Sequence, residues 1–280
     1  MMFSLVLATV NRTDELRTFL FHLNQQSYRD FQLIVVDQNN DDSLLPILAP
    51  YFDSFPLIHI KSKKRGASRA RNLGLKHASG EIIGFPDDDC WYPTDLLKNV
   101  LDFFNRCPEW DGFIGRTVGI EGNTVMLRFD NRAGAVTKYN AWRRGVTSTM
   151  FFKSHIMMAS GGFDEQLGVG ADSPWGSGEE TDYLIRLLND GCRIFYDPTL
   201  ILYHPNPLKY AQEKLLVRAY SYGCGMGKVL RKHNYPLWFF LYYLIRSIGG
   251  GLLALSRADW ALVTYYRECF RGRLYGWRKG

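Results

Sequence analysis

Residues 81–89 read Glu-Ile-Ile-Gly-Phe-Pro-Asp-Asp-Asp: a short apolar run, a proline that helps end it, and three adjacent carboxylates. An apolar run without polar alternation marks a strand buried on both faces, and Pro86 cannot donate to a strand ladder. The same order recurs upstream in Phe31-Gln-Leu-Ile-Val-Val-Asp37, preceded by FSLVLATV at 3–10 and followed by LIHI at 57–60. Residues 12–26 and 67–78, between these runs, suit helices. Strands alternating with helices of this length imply βαβ crossovers and an α/β fold with a mostly parallel sheet. Ligands of such sheets gather beyond the carboxyl ends of the strands, the positions that Asp37 and Asp87 occupy.

Further along, a helix is expected over 94–105, strand-like pieces at 112–120 and 124–129, a Gly-rich loop at 161–178, a helix at 179–190 and a strand near 193–196, before Tyr203-His204-Pro205. Residues 1–208 read as one catalytic domain and 209–280 as a helical appendage. Charge divides at the same place. Residues 209–280 hold 13 Lys or Arg against 3 acidic residues, a net of +10, whereas residues 1–208 come to −4. The five cysteines are odd in number and form no CxxC pair, which argues against a disulfide framework or zinc knuckle and for reduced cytoplasmic thiols. Met1–Ala8 lacks the basic start of a signal peptide and is expected to open the first core strand.

Three neighbouring carboxylates raise one another's pKa and resist burial. A hard divalent cation removes that cost, and Mg²⁺ or Mn²⁺ binds through one or two carboxylates together with substrate phosphates. Asp89 is the expected metal ligand, with Asp87 on a ribose or on metal-bound water; the plain alternative is a solvated acidic turn. Thr9 and Asn11 lie at the end of the first run, with Arg12 near phosphate or supporting the next helix. Arg65, Arg69 and Arg71 offer guanidinium forks suited to phosphate, though in a helix at most one faces a ligand.

Glu179, Glu180 and Asp182 open the helix at 179. Glu180 shares a face with Tyr183, Leu184 and Leu187, while Asp182 lies four residues before Arg186 and can pair with it. A carboxylate aimed at a partly apolar pocket gains proton affinity, so Glu180 is the expected general base. His204 is a lone histidine outside any helix, structural or a ligand. Trp142 and Trp175 either stack on an acceptor sugar or anchor the core.

Five segments in order, VVDQNNDD at 35–42, RGASRARNLGL at 65–75, PDDD at 86–89, GGFDE at 161–165 and GEETDYLIRLL at 178–188, resemble the family 2 glycosyltransferases of GT-A fold, the type found in bacterial surface-polysaccharide synthesis. The resemblance covers about residues 3–205. It implies a Rossmann-like central sheet flanked by helices, a nucleotide-sugar half over about 1–110 and an acceptor half over about 111–208. It further implies that Asp37 contacts the base of a UDP-, GDP- or dTDP-linked donor, that Asp87 and Asp89 are the DxD pair holding ribose and metal, and that Arg71 faces the pocket. Asp88 is grouped with the donor residues. Glu180 stands where relatives usually carry the aspartate base, Glu179 matches the preceding acid on the acceptor side with Trp175, and His204 matches a histidine that helps hold metal or diphosphate. Inversion at the anomeric carbon follows from the resemblance alone.

Residues 236–255, PLWFFLYYLIRSIGGGLLAL, carry one charge, Arg246, and the triplet Gly249-Gly250-Gly251. The charge and the glycines disfavour simple spanning. An interfacial or hairpin-like contact with an anionic membrane at the inner face of the cell is expected, rather than nucleic acid; a buried helical subdomain or homo-oligomer contact is the alternative. The expected activity is therefore transfer of a sugar to a glycan or lipid-linked acceptor. Two other classes compete: metal-dependent nucleotidyl or phosphoryl transfer, which leaves Glu180 unexplained, and non-catalytic glycan or membrane binding.

Overall fold

The computed structural model describes residues 2–119, 129–204 and 212–280. The chain forms two compact units. One comprises Met1–Arg65, Arg69–Gly162 and Tyr183–Pro207; the other Gly66–Ser68, Phe163–Asp182 and Leu208–Gly280. The strand piece expected at 124–129 lies, apart from Phe129, outside the described residues, as do Pro205 and the boundary at 208.

In the first unit the elements run β1 (Phe3–Thr9), α1 (Asp14–Asn24), β2 (Phe31–Asp37), α2 (Leu45–Leu48), β3 (Leu57–Lys61), α3 (Ala67–Leu75), β4 (Ile82–Gly84), α4 (Leu96–Arg106), β5 (Gly112–Val118), β6 (Gly134–Ala135), β7 (Met150–Lys153), α5 (Ser154–Ala159), α6 (Glu179–Asn189) and β8 (Ile194–Tyr203), with the first residues of α3 and α6 counted in the second unit. Among the described residues the strands make one eight-stranded sheet in the order β3-β2-β1-β4-β7-β5-β8-β6. Pairings β1–β2, β1–β4, β2–β3 and β5–β8 are parallel; β7 enters antiparallel between β4 and β5, and β6 pairs antiparallel with β8. The strand expected near 193–196 continues to Tyr203, carrying His204 to its end.

Both faces of the sheet are covered, which is why its central strands are mostly apolar, with the buried Gln32 amide donating to the Ser4 hydroxyl at 2.6 Å. Phe3, Leu5, Leu7, Leu33 and Val35 pack with Leu16, Phe19, Leu20 and Leu23 of α1 and with Leu96, Leu97 and Val100 of α4. The alternate residues Val6, Ile34 and Val36 point the other way, onto α3, where a side chain at Gly74 would begin 2.4 Å from Val6. Tyr183 of α6 meets Phe152 of β7 edge-on, with ring centroids 6.2 Å apart.

The second unit holds α7 (Gln212–Lys232), α8 (Leu237–Ser256), α9 (Trp260–Lys279) and the loop before α6. Two glycine pairs at four-residue spacing, Gly223/Gly227 and Gly272/Gly276, bring α7 and α9 into backbone contact. A methyl on Gly276 would lie 2.0 Å from the Cys224 carbonyl oxygen, and one on Gly272 2.2 Å from that of Tyr220. Helix α8 rests on α9 through the stacked rings of Phe240 and Trp277, 4.3 Å apart, and through Arg273, which donates to the Tyr243 carbonyl at 2.7 Å. The glycine triplet expected to interrupt α8 does not. Gly250 lies beneath the Tyr266 ring, where any side chain would begin 2.4 Å away, so tertiary packing offsets the weak helix propensity.

These contacts set opposite outcomes for two glycines. Gly276→Ala is expected to lower stability by about 1–3 kcal/mol through overpacking. Gly249→Ala, in open space, is expected to raise it by up to about 1 kcal/mol. Denaturant unfolding of both variants measures the order.

Candidate active site

The chain runs from β1 to β2 to β3 on one side and then returns to place β4 on the other side of β1. Between β1 and β4 the order reverses, the point at which sheets of this kind gather ligands beyond the carboxyl ends of their strands. Thr9 pairs in register with Asp37, and Ala8 bridges to Asp87, so these residues form one row across three strands. Asn11 adopts a left-handed turn (φ 56°), with its backbone N–H donating to the Asn39 side chain at 2.7 Å. That turn sends Arg12 back to Asp88 at 2.8 Å and into contact with Asp89. Arg71 of α3 donates to Asp87 at 3.1 Å.

Asp37 is wholly buried. One oxygen accepts from the Asn39 backbone N–H and side-chain amide, each at 2.8 Å; the other lies 3.0 Å from His59 Nε2 and 3.2 Å from Lys61 Nζ. Sequence reading had no signal for His59 or Lys61, because only the parallel register of β3 against β2 brings them there.

His204 reaches the triplet through a bridge between distant segments. Trp91 and Tyr203 exchange backbone hydrogen bonds at 2.9 and 3.1 Å and stack their rings. His204 thereby stands beside Asp89, Nε2 to Oδ1 3.5 Å. Ligand atoms of Asp89, Cys90 and His204 all lie within 4.8 Å of one another.

Glu179, Glu180, Asp182 and Trp175 belong to the second unit. Glu179 is buried and Glu180 half-buried in the first turn of α6. Gly168 (φ 101°) passes directly against the Glu179 carboxylate, where a side chain would begin 2.7 Å away. Both glutamates lie near Tyr222, whose phenol burial pushes up to about 12, with Arg218 working against the shift and Glu179 and Glu180 adding to it. Asp182 is wholly buried, and the structure pairs it with Lys232 and His233, each at 2.8 Å. Arg186, four residues on, donates to the Ser160 carbonyl at 2.7 Å. The Trp175 ring is buried beside Tyr275 and beneath the Lys228 ammonium. Trp142 sits in the short turn Ala141–Arg143 of the first unit.

Residues 4–163 match the family described as Glycosyl transferase family 2. The chain belongs to that family. YfnE of Bacillus subtilis (strain 168), an uncharacterized glycosyltransferase, is 34% identical over 100 residues, 35% of this chain and 26% of the relative. Glycosyltransferase AglE of Haloferax volcanii is 22% identical over 189 residues, 61% of this chain and 59% of the relative. The chain thus spans a quarter to three fifths of these two relatives. Among solved structures, the mannosyltransferase PcManGT from Pyrobaculum calidifontis in complex with GDP-Man and Mn²⁺ superposes with a TM-score of 0.68 at 18% identity, covering 99% of this chain and 88% of that one. S. aureus TarS 1–349 in complex with UDP-GlcNAc gives 0.64 at 17% identity, covering 97% and 92%. These likenesses show the GT-A-like fold.

The donor set fits a divalent cation: the carboxylate suits Mg²⁺ or Mn²⁺, and two protein ligands leave positions for phosphate oxygens and water. Burial and the neighbouring carboxylates hold the Cys90 thiol well above its usual range. Burial also raises Asp87, with Arg71 opposing, and pushes Asp88 up to about 6 against the pull of Arg12. Burial lowers the Arg12 pKa, but Asp88 and Asp89 outweigh it and hold the guanidinium charged. Three carboxylates against two arginines leave one negative charge for a divalent ion.

Because the folded-state pKa values of Asp87 and Asp88 are raised, their ionisation costs stability as pH rises above the ordinary value of 3.8, for Asp88 through about 6. A divalent ion offsets that cost only where they are ionised. Millimolar Mn²⁺ is expected to raise the melting temperature at pH 7.5, by about 2–4 °C per kcal/mol of binding, and less at pH 5. Asp89→Asn should abolish the shift; an undiminished shift in that variant at pH 7.5 would exclude Asp89 as a ligand.

Proposed function

We propose that this family 2 chain is an inverting, metal-dependent glycosyltransferase that moves a sugar from a nucleoside diphosphate to a hydroxyl of a glycan or lipid-linked acceptor, in cell-surface polysaccharide synthesis. The observation that carries the reading is the pairing of Asp89 with His204, beside Asp87 and its arginine, at the reversal point of the sheet. Ligands of two solved structures of similar fold, GDP-Man with Mn²⁺ and UDP-GlcNAc, support a nucleotide-sugar donor. The names of two relatives, the poly(ribitol-phosphate) beta-N-acetylglucosaminyltransferase TarS of Staphylococcus aureus, 27% identical over 146 residues, and the minor teichoic acid biosynthesis protein GgaB of Bacillus subtilis, 35% identical over 81 residues, support a surface-polymer acceptor.

In this reading Asp37, with Asn39, His59 and Lys61 held around it, takes the base end of the donor. Thr9, Asn11 and Arg12 meet the nucleotide and its phosphates. Arg71 orients Asp87 toward the ribose, and Asp88 keeps Arg12 in place. Asp89 and His204 hold the cation; Mg²⁺ or Mn²⁺, when bound, supplies the charge that stabilises the departing diphosphate. Glu180 takes the proton from the acceptor hydroxyl as its oxygen attacks the anomeric carbon on the face opposite the leaving group. Glu179 and Trp175 shape the acceptor side, Glu179 by direct contact and Trp175 by supporting the loop that carries both glutamates.

Residues 1–208 form the catalytic domain of this proposal and 209–280 a region that holds the enzyme on the inner face of the cell membrane. Among the described residues one helix, α8, is long and apolar enough to contact a membrane, and Trp238, Leu241, Ile245, Ile248 and Leu252 make an exposed stripe along it. Its basic surroundings suit anionic headgroups.

With Mn²⁺, the full chain is expected to release nucleoside diphosphate from at least one of a panel of UDP-, GDP- and dTDP-linked sugars. Glu180→Gln should lower that rate by about 10²–10⁴-fold with donor binding retained. Full activity of the variant would remove Glu180 from the chemistry, and silence of the wild type on every donor with a range of acceptors would end the transferase reading. Separately, the chain should float with vesicles containing anionic lipid, and Ile245→Asp with Leu252→Asp should abolish flotation. Undiminished flotation of the double variant would place membrane contact elsewhere.

A further inference from the structure

We infer that α7 is part of the transfer machinery: Lys232 and His233 are positioning residues that hold the first turn of α6, and with it Glu180, through the buried carboxylate of Asp182. Asp182 lies two positions after Glu180 within one helical turn, so the base moves with whatever anchors the aspartate. The Asp182 N–H donates to the Gly178 carbonyl at 2.8 Å, closing that turn, while its Oδ1 lies 2.8 Å from both Lys232 Nζ and His233 Nε2.

Lys232 does a second thing. Its ammonium also reaches Asp164 at 2.7 Å, so one cation ties the beginning of the segment Phe163–Asp182 to its end. Between those ends α7 grips the segment by its backbone. The Gly176 N–H donates to the Ser221 carbonyl at 3.1 Å and the Ser177 hydroxyl to that of Tyr222 at 3.0 Å, while a side chain on Gly225 would begin 2.1 Å from the Ser177 carbonyl oxygen. Burying a carboxylate to pair it with a partly exposed lysine is a poor way to gain stability, because apolar residues of the same volume serve as well or better. Geometry is what the pair supplies, and an in-line displacement needs that geometry, since an error of about 1 Å can cost about 10²-fold in rate.

The inference rests on Glu180 being the base, and the test separates the two. Lys232→Met keeps the apolar stem and leaves His233 to partner Asp182, so the chain should fold; Lys232→Arg keeps the charge. In the full chain with Mn²⁺ and the sugar nucleotide that the wild type turns over, Lys232→Met is expected to lower kcat by about 10- to 100-fold with donor KM little changed, and Lys232→Arg to restore most of it. Amide exchange over residues 176–184 should accelerate in Lys232→Met while β3 stays protected. Unchanged kcat, or a loss carried by donor KM, would overturn the positioning role. If the wild type turns over no sugar nucleotide, the transferase reading fails and exchange decides alone: unchanged protection of 176–184 in Lys232→Met overturns the clamp.

Discussion

Asp87, Asp88 and Asp89 repel one another at the carboxyl end of β4, and burial sharpens that repulsion. The groups that relieve it come from three segments far apart in sequence. Arg12 arrives from the turn after β1, Arg71 from α3 and His204 from the end of β8. None of the three could reach the triplet without the sheet order that sets β4 beside β1 and the bridge that ties Trp91 to Tyr203. The acidic run is thus both the feature the fold must accommodate and the reason a divalent ion suits it. Two arginines leave the site one negative charge short of neutral, and a cation over-compensates by an amount that a diphosphate can use.

The parallel core was legible because burial on both faces leaves an unmistakable trace, apolar runs with an aspartate at the exit. What the runs cannot encode is their neighbours. The antiparallel entry of β7 between β4 and β5, and the register that sets His59 and Lys61 on Asp37, depend on contacts between residues with no local pattern in common. Asp182 shows the limit well. Spacing pointed to Arg186, but a wholly buried carboxylate also draws cations from another helix fifty residues on, which no local spacing announces. The close approach of α7 and α9 was different in kind: its signal, glycines four apart in both helices, stands in the sequence and went unread.

Glycine also explains why α8 persists. Taken alone, three consecutive glycines cost a helix about 1 kcal/mol each relative to alanine, enough to suggest a hairpin. Gly250 is required by Tyr266, and Gly249 meets nothing, so the cost falls on a helix already fixed along one side by Phe240, Tyr243 and Ser247. The opposite side keeps its apolar residues in the open, a face that water does not favour and a lipid surface does.

Glu180 brings the two lines together. If Glu180 is the base, as proposed, its side chain sets the carboxylate one methylene farther from the backbone than an aspartate would and adds a rotatable bond, whose freedom must be given up before a proton can be taken at a fixed point. A base of that length gains more from a rigid first turn than a shorter one would. Lys232, joining Asp164 to Asp182 across the whole glycine-rich segment, limits the freedom of that turn at its root. On this view the basic C-terminal region is selected for two different properties of its charge: cations at the surface for anionic lipid, and one cation turned inward to fix the backbone from which the base extends.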